Sequence, residues 1–236
     1  MLTPAKIQRV AEETLDYWRE EVTKPFIVEL ARGKEIGHKL ADLVDEKTSA
    51  LLTVNHITKH QHGSDGEKRS RSMGDLWLLD GDIYHPVNVK TGVVGAEGQP
   101  NLVSLKKVLS AILQHQIDSY YLLIVKMAIH GDATIVPGVF FIDMLDWLKY
   151  VTFDSGPGQM MLKANSFFSA YRPGVAPVRT IQEKVGDLLA LYEDGERRLQ
   201  VNRARDLEKY RRNVDVFLKS GDWTVTPATQ RGLSLQ

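Results

Sequence analysis

The stretch Gly74 to Gly92, GDLWLLDGDIYHPVNVKTG, decides the fold of this 236-residue chain. Two apolar runs rich in β-prone residues flank Asp80-Gly81-Asp82. Either Asp80-Gly81 or Gly81-Asp82 can form the two-residue turn that joins antiparallel strands. The stretch therefore predicts a β-hairpin.

The hairpin carries three polar residues that can meet on one face. Side chains alternate along a strand, so Asn88 and Lys90 share a face of the second strand. With the later turn, Asp75 lies opposite Asn88; with the earlier turn, it lies opposite Pro86 and diagonal to Asn88. Facing Cβ atoms are about 5 Å apart and diagonal ones about 7 to 8 Å apart. In either register, Asp75, Asn88 and Lys90 are predicted to converge.

These three side chains suit the hydrolysis of a phosphodiester bond. A carboxylate and neighbouring carbonyl oxygens can hold Mg²⁺, which keeps several waters and binds the phosphate. A lysine on the same face can orient or deprotonate the attacking water and stabilise the charge that develops. The alternative is an ordinary edge hairpin with solvated Asn88 and Lys90, and Pro86 would be natural at such an edge.

The segments around the hairpin predict an α/β fold with a central mixed β-sheet, flanking helices and a long C-terminal helix. The hairpin is followed by a helical pattern and then by a near-continuous apolar run, which is the order of a parallel βαβ crossover. We expect a single domain over residues 1–236, with its core at about residues 26–130. The predicted elements are helices at 3–24, 26–46, 101–117, 145–150 and 181–218, β-type segments at 50–58, 120–129 and 135–144, and a less regular stretch at 154–179.

The composition excludes several classes of protein. The chain has no cysteine, which excludes a disulfide framework, a thiolate zinc site and a cysteine nucleophile. No apolar stretch resembles a secretory signal or a membrane span, so we expect a soluble cytoplasmic protein without a membrane partner. The 30 basic and 30 acidic residues balance, but Arg197 to Arg212 holds seven basic and only two acidic residues. The zero net charge therefore leaves room for a polyanionic partner.

At the hairpin the chain resembles the PD-(D/E)xK nuclease superfamily, and most closely its type II restriction endonucleases. The matching residues are Gly74-Asp75 and the run Val87-Asn88-Val89-Lys90-Thr91-Gly92. The order of elements over about residues 26–130 also agrees with that superfamily's core. The resemblance implies a Mg²⁺-dependent, sequence-specific double-strand DNA endonuclease, in which Asp75 binds the metal and Lys90 is the catalytic lysine.

The chain departs from the family pattern at Asn88, where the pattern has Asp or Glu. An amide contributes an oxygen to a metal but no charge. Either the site binds metal with fewer charges, or Glu35, or else Glu29 or Glu97, supplies the missing carboxylate. The core could also be an inactive remnant. If the amide is a ligand, Asn88→Asp is expected to keep activity or to shift the metal preference.

The basic residues predict where DNA binds. Arg69 and Arg71 lie in a flexible basic loop that could enter a DNA groove. Arg203 and Arg205 lie in the basic part of the last helix, which could track phosphates or simply be a solvated helix face. The resemblance further implies DNA contacts and a homodimer interface within residues 131–236, and a cognate DNA methyltransferase in the same cell. The alternatives are a repair or junction nuclease of the same superfamily and a DNA-binding protein without catalysis.

Overall fold

A computed structural model describes residues 1–24, 36–59, 73–94, 101–130, 133–154, 156, 158–172, 177 and 179–220. The chain separates into two units, Met1–Gly195 and Glu196–Gln236. The described strands are β1 (Thr58–Lys59), β2 (Leu76–Asp80), β3 (Ile83–Val93), β4 (Asn101–Ser104), β5 (Tyr121–His130), β6 (Ala133–Asp143), β7 (Val151–Asp154) and β8 (Gln159–Leu162). The described helices are α1 (Pro4–Glu21), α2 (Ile36–Asn55), α3 (Leu105–Leu113), α4 (Ala164–Ala170) and α5 (Ile181–Ser220), with a 3₁₀ helix at Met144–Tyr150.

The central element is a mixed five-stranded sheet of strand order β1-β2-β3-β5-β6. Strand β3 pairs with β5 in parallel, and the other neighbouring strands pair antiparallel. Helix α3 lies between β3 and β5 in the chain, as a parallel connection requires. The predicted fold class, a mixed sheet flanked by helices with a long C-terminal helix, is confirmed.

The hairpin uses the later of the two turns. Asp80 pairs with Ile83, so Gly81 and Asp82 form the loop. Gly81 has a φ of 60°, and a glycine with positive φ at the first loop position is typical of a type II′ turn. Leu76 pairs with Val87, which sets the preceding Asp75 opposite Asn88.

Strand β5 is buried on both faces, as its apolar run predicts. Leu123 and Val125 point into a cluster that includes residues of α1 and α2, among them Trp18 and Val44. Leu122 and Ile124 point into the opposite cluster, which includes α3 and the 3₁₀ helix.

Helix α2 corrects the prediction of β-type content at residues 50–58. The helix continues to Asn55, and only Thr58 and Lys59 form a strand. Val44, Thr48 and Leu52 recur at intervals of four residues, and all three are fully buried. Thr48 also accepts a hydrogen bond from Trp18 Nε1 at 2.9 Å. Packing against α1 thus overrides the β-propensity of the local sequence. The predicted helix start at 26–35 lies outside the described residues.

The stretch predicted to be irregular, 154–179, contains strand β8 and the short helix α4. Strand β8 belongs to a second sheet of strand order β4-β8-β7, and β4 occupies residues 101–104, where the sequence predicted the start of a helix. The strands of this sheet have only four residues each, and Gly158 takes a φ of 71° next to β8. Such short strands give too little alternation to be recognised between glycines and prolines. Met160, Leu162 and Phe167 complete the cluster above α3.

Helix α5 lies close to Phe153 at Gly195. A Cβ atom built there would lie 2.2 Å from Phe153 Cδ1, whereas one at Gly186 on the same helix would meet nothing within 4 Å. Every residue from Gln200 to Ser220 is exposed. No helix among the described residues is long and apolar enough to cross a membrane.

The two helical glycines give a matched pair of stability predictions. Gly186→Ala is expected to stabilise the protein by roughly 0.5–1 kcal/mol, because alanine has the higher helix propensity and the site is open. Gly195→Ala is expected to destabilise it, because overpacking against Phe153 costs about 1–3 kcal/mol and exceeds the propensity gain. Urea denaturation followed by circular dichroism measures both changes. Stabilisation of equal size at the two positions would contradict the close approach.

Candidate active site

Asp75 is held against the backbone of β3. Its backbone N–H donates to Val87 O at 2.8 Å, and its carboxylate Oδ2 accepts a 2.7 Å hydrogen bond from the N–H of Val89. Val89 stands between Asn88 and Lys90 in the sequence. The carboxylate of Asp75 therefore reaches β3 at the residue between the other two predicted site residues, as the hairpin register requires.

Asn88 is buried and holds three segments together. Its side chain is 5% exposed, and Nδ2 donates to Leu102 O at 3.1 Å and to the hydroxyl of Tyr120 at 2.8 Å. A backbone carbonyl can only accept, so the contact with Leu102 fixes which end of the amide carries the hydrogens. The amide oxygen Oδ1 is buried and has no hydrogen-bond partner among the described residues.

Tyr120 connects the two arms of the site. Its hydroxyl accepts from Asn88 and donates to Met73 O at 2.8 Å, two residues before Asp75. Burial, with a smaller contribution from the negative charge of Asp75, raises the pKa of the Tyr120 hydroxyl above its usual range. The hydroxyl therefore stays protonated and can keep donating. Sequence reasoning missed Tyr120 because it reads as the first residue of an apolar strand, although a buried tyrosine usually needs a polar partner.

Lys90 lies on the same face of β3 as Asn88 and pairs in register with Ile124 of β5. Its side chain is partly buried. Within the described ranges, no carboxylate forms an ion pair with its ammonium group.

The other predicted residues fall into two groups. Arg203 and Arg205 are exposed on α5, in the second unit, and Arg205 donates to Asn202 Oδ1 at 3.1 Å. The remaining candidates lie outside the described residues, namely Arg69, Arg71, Glu29, Glu35 and Glu97. No group of three or more His, Asp or Glu side chains within the described part of the chain is arranged to hold a metal ion.

The hydrogen bonds of Asn88 reverse the effect expected of Asn88→Asp. A carboxylate cannot donate to Leu102 O, so this change would leave a buried carbonyl unpaired and place negative charge against it. We expect a loss of about 1–3 kcal/mol of stability at neutral pH, together with loss of any activity that depends on the site.

The pH dependence of that loss tests its cause. Burial against an acceptor raises the pKa of the introduced carboxyl in the folded state, so the destabilisation should grow as pH rises above about 4 and shrink below it. Urea denaturation at pH 4.5 and pH 7.5 measures the difference. A variant as stable as the wild type at pH 7.5 would show that Nδ2 does not hold Leu102 and Tyr120.

Comparison with known protein families found no family model that matches the chain, and no curated protein matches it. The function is therefore inferred from the fold and from the positions of Asp75, Asn88 and Lys90 on the hairpin.

Proposed function

We propose that the protein is a Mg²⁺-dependent, sequence-specific double-strand DNA endonuclease of the type II restriction kind. The observation that carries the proposal is the hydrogen bond from Val89 N–H to the carboxylate of Asp75. It brings the acid to the strand segment that also bears Asn88 and Lys90. The mixed sheet with a parallel β3–β5 pair supports the same proposal, because it agrees with the core that the resemblance predicts.

The donor set suits Mg²⁺. This ion is commonly bound by one or two carboxylates and keeps several of its waters. Asp75 would supply the carboxylate, and Asn88 Oδ1 would supply a neutral oxygen. A buried oxygen without a partner costs roughly 1–3 kcal/mol, so the unpaired Oδ1 of Asn88 favours a ligand that is bound during function. The metal would neutralise phosphate charge and make its bound water more acidic.

The residues of the chain position the reactants. Val89 N–H orients the carboxylate of Asp75, and Tyr120 orients the amide of Asn88. Lys90 places a positive charge where negative charge accumulates on the phosphate as the attacking water adds. A lysine that is partly buried acts more strongly on that charge than one in bulk water.

The second unit supports contact with DNA and with a second copy of the chain. Arg203 and Arg205 are exposed and can contact phosphates. Leu207, Tyr210 and Val214 are also exposed and recur at intervals of three and four residues, which is typical of a helix that packs on another helix. We propose a homodimer, because a palindromic site is matched by a two-fold protein. Light scattering in solution tests it, and a strictly monomeric protein would contradict it.

A digest of unmethylated phage DNA tests the proposed activity. With Mg²⁺ we expect discrete fragments, and sequencing of their ends should return one short motif. A smear would instead favour a repair or junction nuclease. The proposal also implies a cytoplasmic protein with a cognate DNA methyltransferase encoded nearby, whose methylation should block the digest. Absence of cleavage with both Mg²⁺ and Mn²⁺ on varied DNA would refute the nuclease.

The second candidate is a DNA-binding protein without catalysis. Asn88 favours it, because an amide replaces the second carboxylate of the family pattern. On this hypothesis, replacement of Lys90 or Asp75 would change only the affinity for DNA.

A further inference from the structure

A second lysine lies one step from Lys90 on the neighbouring strand. In the parallel β3–β5 pair, Lys90 is in register with Ile124, and Gly92 is in register with Lys126. Residues two apart share a face, so Lys126 lies on the same face as Ile124 and hence as Lys90. Strand spacing and rise place the two lysine Cα atoms about 8 Å apart on the diagonal.

The side chain of Lys126 is held over an aromatic ring. Its Nζ lies 4.6 Å from the ring centroid of Phe168, which is a cation–π distance. The ring can lie on the strand because Gly92 has no side chain, and a Cβ built there would be 3.2 Å from Phe168 Cζ. Phe168 in turn packs on Phe140, with ring centroids 4.9 Å apart. The ammonium group of Lys126 is therefore positioned by a packed aromatic cluster.

Among the described residues, no carboxylate is paired with either lysine. Both side chains are partly buried. Lysines removed from water are normally paired, and two like charges on neighbouring strands repel each other. Two such charges side by side therefore favour an anionic ligand that bridges them. A polyanion with regularly spaced phosphates can contact both lysines at once more readily than a small ion can.

We propose that Lys126 contacts a phosphodiester group of DNA next to the one that Lys90 contacts, on the same strand. This inference rests on the proposed function and extends it, because it assigns a second phosphate contact within the same sheet face. Lys90 acts on the phosphate that is cleaved, whereas Lys126 acts on an uncleaved neighbour and fixes the position of the strand.

The test measures DNA affinity in Ca²⁺ as a function of salt concentration. Each phosphate contact contributes about 0.9 to the slope of log K against log salt. Lys126→Gln is expected to reduce this slope by about 1 and to weaken binding about tenfold near 0.1 M salt. Lys126→Arg should retain both values, because it keeps the charge. Phe168→Leu should weaken binding but leave the slope unchanged, because the charge remains while its support is lost.

Lys149→Gln is the matched control. Lys149 is exposed and also lies over an aromatic ring, 4.9 Å from the centroid of Tyr150, but it is on the 3₁₀ helix rather than on β5. It should leave affinity and slope unchanged. An unchanged affinity and slope in a folded Lys126→Gln variant would overturn the inference, even if the wild type cleaves DNA. A reduced slope in a protein that never cleaves would support the phosphate contact and refute only the nuclease.

Discussion

Lys90→Ala is expected to reduce the rate of DNA cleavage by about 10²- to 10³-fold or more, while DNA binding in Ca²⁺ weakens by no more than about tenfold, which is the effect of one lost phosphate contact. Loss of one group that stabilises developing negative charge typically has an effect of this size on the rate. The charge acts mainly in the transition state, so its removal should lower the rate at saturating protein far more than the affinity. Single-turnover cleavage in Mg²⁺ and binding titrations in Ca²⁺ measure the two effects separately.

The surroundings of Lys90 make this variant easy to interpret. The described residues place no carboxylate in an ion pair with it, so Lys90→Ala leaves no buried charge unpaired in that part of the chain. The free energy of unfolding should therefore change by well under 2 kcal/mol, in contrast to a buried ion-paired lysine. If the variant keeps its stability and loses only cleavage, Lys90 contributes to the catalytic step and not to folding.

Lys126→Gln serves as the internal comparison for Lys90→Ala. Both lysines lie on the same face of the sheet and both are partly buried, but we propose different functions for them. Lys90→Ala should lower the cleavage rate far more than the affinity, whereas Lys126→Gln should lower the affinity and leave the cleavage rate at saturating protein nearly unchanged. If Lys90→Ala cleaves as fast as the wild type at saturating protein, Lys90 is not catalytic.

The hairpin and the crossover could be predicted from sequence because their signals are local. A turn dipeptide between two apolar runs predicts the hairpin and limits it to two registers, and the structure has the one that sets Asp75 opposite Asn88. The continuous apolar run of β5 likewise indicates a strand that is covered on both faces. In these segments, neighbouring residues carry the information that specifies the type of element, although they leave the choice between the two turns open.

The role of Asn88 could not be predicted, because its partners are remote. The sequence predicts a metal ligand through the amide oxygen, and the structure adds that Nδ2 donates to Leu102 O and to Tyr120, 14 and 32 residues away. Tyr120 reaches Met73 across 47 residues. No local pattern specifies contacts between distant segments of this kind. An amide is needed at position 88 because its Nδ2 donates these two hydrogen bonds. Comparison with the family pattern shows only that Asn replaces Asp or Glu at this position.

Lys184→Met is expected to have the largest effect on stability, a loss of about 3–5 kcal/mol at neutral pH. Lys184 is 1% exposed on α5, and its Nζ lies 2.7 Å from Asp143 Oδ2 and 3.1 Å from Asp146 Oδ1. Removal of the lysine takes away the cation that forms both of these ion pairs and leaves two carboxylates close together, which is the costly way to break a buried ion pair. Urea denaturation of the wild type and the variant measures the loss.

The loss should depend on pH in a defined direction. Burial raises the pKa of Asp143 to about 6, although Lys184 opposes the shift, and burial also raises the pKa of Asp146. A carboxyl group with a raised folded-state pKa favours the folded protein below its unfolded value near 4, and that contribution is lost as pH rises through the folded value. Without Lys184 both pKa values rise further. The difference between variant and wild type should therefore be small near pH 4.5 and largest above pH 7.

The double variant Lys184→Met with Asp143→Asn separates charge from packing. An amide oxygen at position 143 can still accept the hydrogen bonds that Asp143 Oδ1 receives from the N–H groups of Tyr120 and Leu145, at 3.1 and 3.0 Å. Only one buried charge then remains, so most of the lost stability should return. If the double variant is as unstable as Lys184→Met, lost packing is the cause. Because Tyr120 is anchored by Asp143 and itself holds Asn88, Lys184→Met should also impair the site, and the double variant should restore it.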